Sequence, residues 1–301
     1  MMSARSDARP SRRLSRQTAG VVISLSSAVV VGWAPIFGKM AYRVGVDPYT
    51  LAALRTLLAA LMLWAVYLVF WRDCIRIDWH NLLGCISMGA VNGVGSLFYY
   101  TSLQKLDASL ASLLYTLYPI WVFVFLSASG HEISRLALIR LMLSLVGLYF
   151  VTSTGPLRPN NLGVMLMLAS AAMYGWHLVL GQWVLADVNS RTVTLYVLTT
   201  MAAVVGSVRL AGGQPLGIIS AIGWQAILGL AIVTAMSRLM MFAGLQRLGG
   251  VQTALLGVTE LITTLLVAFW VLGERLTLAQ WVGATVIIIS VLLVRREKVE
   301  E

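Results

Sequence analysis

Ten stretches of this chain are mostly apolar and each run to about 20 residues, the length an α-helix needs to cross the ~30 Å hydrocarbon core of a bilayer. They fall at 18–41, 50–71, 81–104, 108–127, 135–154, 162–185, 192–211, 223–246, 251–271 and 278–294. The joints between them are short and carry Asp47-Pro48, Gly155-Pro156, Gly212-Gly213 and Gly249-Gly250, which leaves no room for a soluble domain. Only 11% of residues are charged, against about 25% in soluble domains. A soluble fold of 301 residues could not hide that much apolar surface. The fold class expected is therefore all-α integral membrane, with the ordered part forming one membrane domain.

The formal net charge of +10 raises the question of nucleic acid. Its distribution answers it. Arg5, Arg9, Arg12, Arg13 and Arg16 precede the first apolar stretch, and Arg295, Arg296 and Lys298 follow the last. Basic flanks of this kind anchor a chain at the cytoplasmic, anionic face of a membrane. The first apolar stretch is longer than the ~7–15 residues of a secretory signal core and has no cleavage site after it, so it reads as a span. With both termini inside, cytoplasmic segments collect thirteen Lys and Arg against five outside (Arg43, Lys105, Arg158, Arg209 and Arg275), which fixes that orientation as the expectation. Cys74 and Cys85 make neither a disulfide framework nor a metal site.

The chain also repeats itself. YTSLQKLDASLASLLYTLYPI from Tyr100 aligns with FAGLQRLGGVQTALLGVTELI from Phe242, an offset of 142, and Glu132 pairs with Glu274 at the same offset. Gly32-Trp33 aligns with Gly175-Trp176 at 143. The units expected are a basic tail (1–17), two five-helix repeats (18–154 and 155–294) and a basic C-terminal tail (295–301). Five is odd, so the second repeat enters the membrane from the opposite side. Inverted repeats place a substrate site between the halves near the midplane and supply two equivalent end states.

The motifs carry a resemblance. Trp33 to Lys39 reads W-x-x-x-x-x-K, Pro48 to Arg55 reads P-x-x-x-x-x-x-R, and Tyr118-Pro119 interrupts helix four. The run VLGERLTLAQWVGATVIIISVLLV closes the chain's last span from Val271. In these features the chain resembles the ten-helix EamA-type branch of the drug/metabolite transporter superfamily. The resemblance implies a transporter, often an exporter of amino acids, other metabolites or drugs, with a cavity lined by helices one, three, four, six, eight and nine. One departure is that Leu261 follows Glu260, where the family often has proline, which argues against a break in helix nine.

Ionisable groups in a bilayer are costly and mark function or pairing. Lys39, Arg55 and Arg140 lie near helix ends and are expected to snorkel to headgroups. Glu260 in helix nine and Arg238 in helix eight lie at matching depth, so an ion pair is expected; whether it fixes packing or lines a pathway stays open. Glu260 is the coupling candidate. Trp33, Asn92, Tyr99, Tyr115, Tyr118, Trp176 and His177 join Arg238 and Glu260 as candidate substrate-binding residues, because aromatic rings with polar tips suit a solute with an apolar body and polar ends. Trp64, Trp71, Trp79 and Trp224 read as interfacial belt residues.

No phosphate-binding loop is present, so the expected activity is secondary transport, with export of an amino-acid-like metabolite favoured and no cofactor or metal. Expected partners are a small-molecule substrate and the lipid bilayer, with no nucleic acid, in a monomer or homodimer of a bacterial inner membrane. A lipid mover with a similar cavity is the alternative. An intramembrane enzyme is the weaker one, because one Glu and one His supply neither a nucleophile–base pair nor a metal cluster.

Overall fold

The computed structural model describes residues 10–128, 139, 142–143, 145–150, 160–212 and 217–292. The described chain is helical, with no strand. Among the described residues eight helices or helix pairs are long and apolar enough to cross a membrane: Gln17–Arg43, Pro48–Phe70, Trp79–Lys105, Ala108–Ser127, Asn161–Asp187, Ser190–Ala211, Ala221–Leu248 and Gly250–Leu272. A shorter apolar helix, Leu278–Leu292, takes the tenth position. The fifth expected span, with Glu132 and Arg140, lies largely outside the described residues, as do both chain ends. Spans are numbered below by the ten expected windows.

Helix starts follow local capping chemistry. Asp47, Asp78, Asn160, Asn189 and Ser220 each accept a hydrogen bond from a backbone N–H in the first turn of the helix that follows. The first helix itself runs back to Pro10, through part of the stretch expected as a tail.

Two spans are broken, and proline breaks both. The first divides between Val31 and Ala34, the fourth between Tyr115 and Tyr118. Pro35 and Pro119 have no N–H for the carbonyl four residues back, so the ladder fails at Val31 and Tyr115. The fourth-span break thus falls just ahead of Tyr118-Pro119. Span nine is continuous α-helix through Glu260 to Val267, in keeping with Leu261, and ends in a π-helical turn, Ala268–Leu272.

Span starts correspond at one offset. Pro48, Trp79 and Ala108 open spans two, three and four; 142 residues later, Ser190, Ala221 and Gly250 open spans seven, eight and nine. Packing obeys the same relation. A Cβ on Gly20 would lie 2.9 Å from Leu248, and one on Gly163 would lie 3.0 Å from Leu106. Ser27 Oγ donates to the Ser237 carbonyl at 2.8 Å, and Ser170 Oγ donates to the Gly95 carbonyl at 2.8 Å. Each member of these pairs sits 142 or 143 residues from its counterpart. Span one therefore lies on span eight as span six lies on span three, in two antiparallel contacts related by a pseudo-two-fold. Small residues let these backbones approach closely.

Candidate substrate cavity

A cavity of about 80 Å³ lies on that pseudo-two-fold. Span three contributes Asn92, Gly95, Ser96 and Tyr99, and span eight contributes their counterparts at offset 142, Thr234, Ser237, Arg238 and Met241. Ser27 and Val31 of span one face Ser170 and Tyr174 of span six, a further pair of counterparts at offset 143. Arg55, Tyr100, Tyr115 and Glu260 complete the polar wall. A second lobe of about 30 Å³ shares Ser27, Tyr174 and Glu260 and reaches Tyr118 and Gly257.

The side chains enter from different heights. Arg55 lies about 10 Å along span two from its start, and Glu260 about 15 Å along span nine from the opposite end of the bundle, at ~1.5 Å per residue. Arg238 is at a similar depth on span eight, as the sequence led us to expect. The two nevertheless make no ion pair. Arg238 instead donates Nη2 to Asn92 Oδ1 at 3.3 Å and stands 5.4 Å from the centre of the Tyr174 ring. Glu260 is left facing the cavity without a hydrogen bond from any described residue.

Arg55 departs from expectation. It does not snorkel to headgroups; it is 5% exposed and points into the cavity. Its nitrogens donate to Thr234 Oγ1 at 2.9 Å and to Ser96 Oγ, and its guanidinium lies over the Tyr100 ring, 4.4 Å from the centroid. Proximity to the end of span two suggested lipid; the face of the helix decides otherwise.

A tyrosine cluster closes one side. Tyr115 lies 5.1 Å from Tyr99, 5.6 Å from Tyr118 and 5.4 Å from Tyr174 between ring centres. Tyr118 donates its hydroxyl to the Ala254 carbonyl of span nine at 3.2 Å. The break in span one meets the same helix, where Thr264 Oγ1 donates to the freed Gly32 carbonyl at 2.9 Å. Both breaks thus converge on span nine within two turns of Glu260.

Of the candidates read from sequence, Asn92, Tyr99, Tyr115, Arg238 and Glu260 line the main cavity and Tyr118 the second lobe. His177 stands behind the wall, fully buried, with Nδ1 3.1 Å from the Met88 carbonyl and its ring stacked on Tyr174. Trp33 is 40% exposed beside Phe37, and Trp176 sits against Phe125 and Trp183, so both tryptophans face away from the cavity. Trp64 donates Nε1 to Thr199 Oγ1 at 3.0 Å. Sequence reasoning assigned Arg55 to the headgroups, left Ser96 outside the candidate set although it shares a helix face with Asn92 and Tyr99, and passed over Ser27, Ser170, Tyr174 and Thr234. Applying the repeat offset to Asn92 and Arg238 would have found Thr234 and Ser96.

At one end of the bundle the repeats are tied together. Glu274, in the connection between spans nine and ten, accepts from Ala108 N at 2.9 Å, Ser109 N at 2.8 Å and Ser109 Oγ at 2.7 Å. Span four's own N-cap residue, Asp107, makes no capping bond, so a carboxylate from the other repeat caps this helix. Arg43 Nη2 donates to the Leu272 carbonyl beside it at 3.3 Å.

A family model describing EamA-like transporters matches the chain twice, over residues 18–153 and 161–296. The chain belongs to the EamA-like transporter family. Two curated relatives extend the likeness over nearly the whole length. YcbK, an uncharacterized transporter of Bacillus subtilis (strain 168), is 22% identical over 302 residues, covering 90% of this chain and 91% of its own. An uncharacterized transporter of Archaeoglobus fulgidus is 26% identical over 273 residues, covering 90% and 94%. A protein crystal structure with 18% identity superposes with a TM-score of 0.68 over 93% of this chain and 98% of that one, which establishes the shared fold. This EamA-like chain is thus a multi-pass membrane transporter, in contact with lipid and with a small-molecule substrate.

Proposed function

We propose that this transporter moves a small amphipathic metabolite, amino-acid-like in chemistry, by alternating access between its two inverted repeats. One observation carries the reading: the central cavity is built from counterpart positions of both repeats, six on each side of the pseudo-two-fold. Inverted-repeat transporters bind substrate at that interface and expose it by moving one repeat against the other. The Glu274 cap on span four is a contact between repeats of the kind that has to form at one end of the cycle and break at the other.

The lining selects the solute. Tyrosine faces suit an apolar body, and the separated guanidinium and carboxylate groups suit opposite charges on one small molecule. The basic flanks support cytoplasmic termini, and a bacterial inner membrane with export as the direction is proposed on the family likeness alone. The units we propose are the two repeats, 18–154 and 155–294, with basic tails outside them.

Counterflow in proteoliposomes of the purified protein tests this, with labelled amino acids, nucleosides and quaternary amines, with and without a pH gradient, and with Glu260→Gln alongside. Uptake confined to amino acids and lost in Glu260→Gln is the expected result. A response to the gradient then assigns Glu260 a coupling role. Preferential uptake of quaternary amines, or movement of labelled phospholipid instead, would overturn the substrate assignment.

A further inference from the structure

Arg55 is a buried cation without an anion among the described residues. A guanidinium carries five N–H donors and no acceptor. In this protein two hydroxyl oxygens, Thr234 Oγ1 and Ser96 Oγ, take one bond each and the Tyr100 ring covers one face. Nε is buried and has no partner. No carboxylate touches Arg55 among the described residues. Burying a charge is costly unless it is paired and hydrogen-bonded.

The surroundings look made to hold this group and not to neutralise it. Ser96 and Thr234 come from different repeats and fix the guanidinium plane from two sides. Arg238 lines the same cavity, so two cations share its wall. Among the described residues Glu260 is the one acidic side chain lining that cavity, and it bonds to neither of them. The cavity therefore presents two guanidiniums against one carboxylate that accepts no hydrogen bond from the described residues.

We infer that Arg55, assisted by Arg238, is the anchor for a substrate carboxylate, with the substrate's amino group directed toward Glu260. This rests on the transport reading above and specifies its chemistry. A planar fork binds a carboxylate through two parallel N–H···O bonds, which a lysine cannot reproduce. The hydroxyls of Ser96 and Thr234 act as positioning groups, and the tyrosines receive the apolar remainder. Because Val197 occupies the position in the second repeat that corresponds to Arg55, the anchor exists on one side of the pseudo-two-fold only, and the solute has one bound orientation.

The test uses the full chain in proteoliposomes and four matched probes: phenylalanine, phenylalaninamide, phenethylamine and 3-phenylpropionate. In the unmodified protein, phenylalanine should compete in counterflow at least about tenfold better than its amide or amine, the order expected when a charge-assisted bond is lost. Arg55→Gln should bring acid and amide to within about threefold of each other. Arg55→Lys should recover only part of the discrimination. Glu260→Gln, which is not expected to support counterflow, is read by competition for binding of labelled phenylalanine to the purified protein, where it should erase the advantage of phenylalanine over 3-phenylpropionate while keeping the preference for the carboxylate.

Should Arg55→Gln fail to fold, the ranking in the unmodified protein and in Arg55→Lys decides. Equal competition by acid and amide in the unmodified protein would overturn the anchor and leave amino-acid-like transport standing. Carboxylate preference that survives in folded Arg55→Gln would also overturn it, assigning Arg55 to helix packing. Failure of all four probes, with another solute class transported, would sink the amino-acid reading itself and the anchor with it.

Discussion

The two repeats share a frame and differ in chemistry. Ser27 on Ser237 and Ser170 on Gly95 are the same hydrogen bond made twice, at the same length, as are the Gly20–Leu248 and Gly163–Leu106 contacts in packing. Yet the positions facing the cavity diverge. Where the first repeat has Ser96 and Tyr118, the second has Arg238 and Glu260; where the first has Arg55, the second has Val197. Helix continuity diverges too, since Pro35 and Pro119 correspond to Leu178 and Leu261. A symmetric frame supplies two comparable end states. An asymmetric lining lets that frame hold a solute whose two ends differ.

The largest effect should come from forcing the second repeat to resemble the first in backbone. Leu261 is fully buried in a continuous helix, so Leu261→Pro should cost ~3 kcal/mol or more in thermal stability in detergent, while Pro119→Leu should cost far less. A Leu261→Pro protein as stable as the parent would show that helix continuity is no part of the difference.

Moving a charge between counterparts sharpens the comparison. Arg238→Ser should lower counterflow by ~10- to 100-fold, the order of a charged hydrogen bond. Adding Ser96→Arg in the same chain should not restore it, because that change removes the hydroxyl that holds Arg55 and sets a second guanidinium against it. Recovery in a folded double variant would mean that the two counterpart positions are interchangeable and that Ser96 does not position Arg55.

The Glu274 cap has a smaller expected effect. Glu274→Gln keeps the shape and removes the charge at the span-four N-terminus, a loss of about 1 kcal/mol. In a background without Cys74 and Cys85, a cysteine at Ala111, fully buried here, should then react faster with maleimide. Unchanged labelling would separate this contact from the opening of that end.

Smallest is a difference in acid sensitivity between two corresponding caps, Asp78 on span three and Ser220 on span eight. The Asn81 backbone N–H bonded to Asp78 holds its carboxyl below the usual carboxylate range. Its capping contribution is therefore present above the ordinary carboxylate pKa and fades as pH falls through the lowered one. Asp78→Ser should flatten that acid limb of the melting profile, and a profile identical to the parent's would remove Asp78 from it.

Much was legible in the linear chain. Span boundaries follow from apolar length and from Asp, Asn and Ser caps, both of which act over a few residues. The repeat is visible because Gln104 and Gln246, or Gly32 and Gly175, keep a fixed offset. Candidate residues Asn92, Tyr99, Tyr115, Arg238 and Glu260 could be chosen by depth, which is a matter of counting along a helix at ~1.5 Å per residue.

What counting cannot supply is the direction in which a side chain faces. Arg55 and Trp33 both lie near the same end of the bundle, and only the rotation of spans one and two, set by packing against spans three, seven, eight and nine, turns the arginine inward and the tryptophan outward. The same holds for Arg238, whose depth matches Glu260 but whose hydrogen bond goes to Asn92 across the cavity. Sequence determined how many helices cross, where they start and break, and that they come in two sets. The tertiary structure decided which charges are left unpaired, because pairing depends on distances between helices that no single helix encodes.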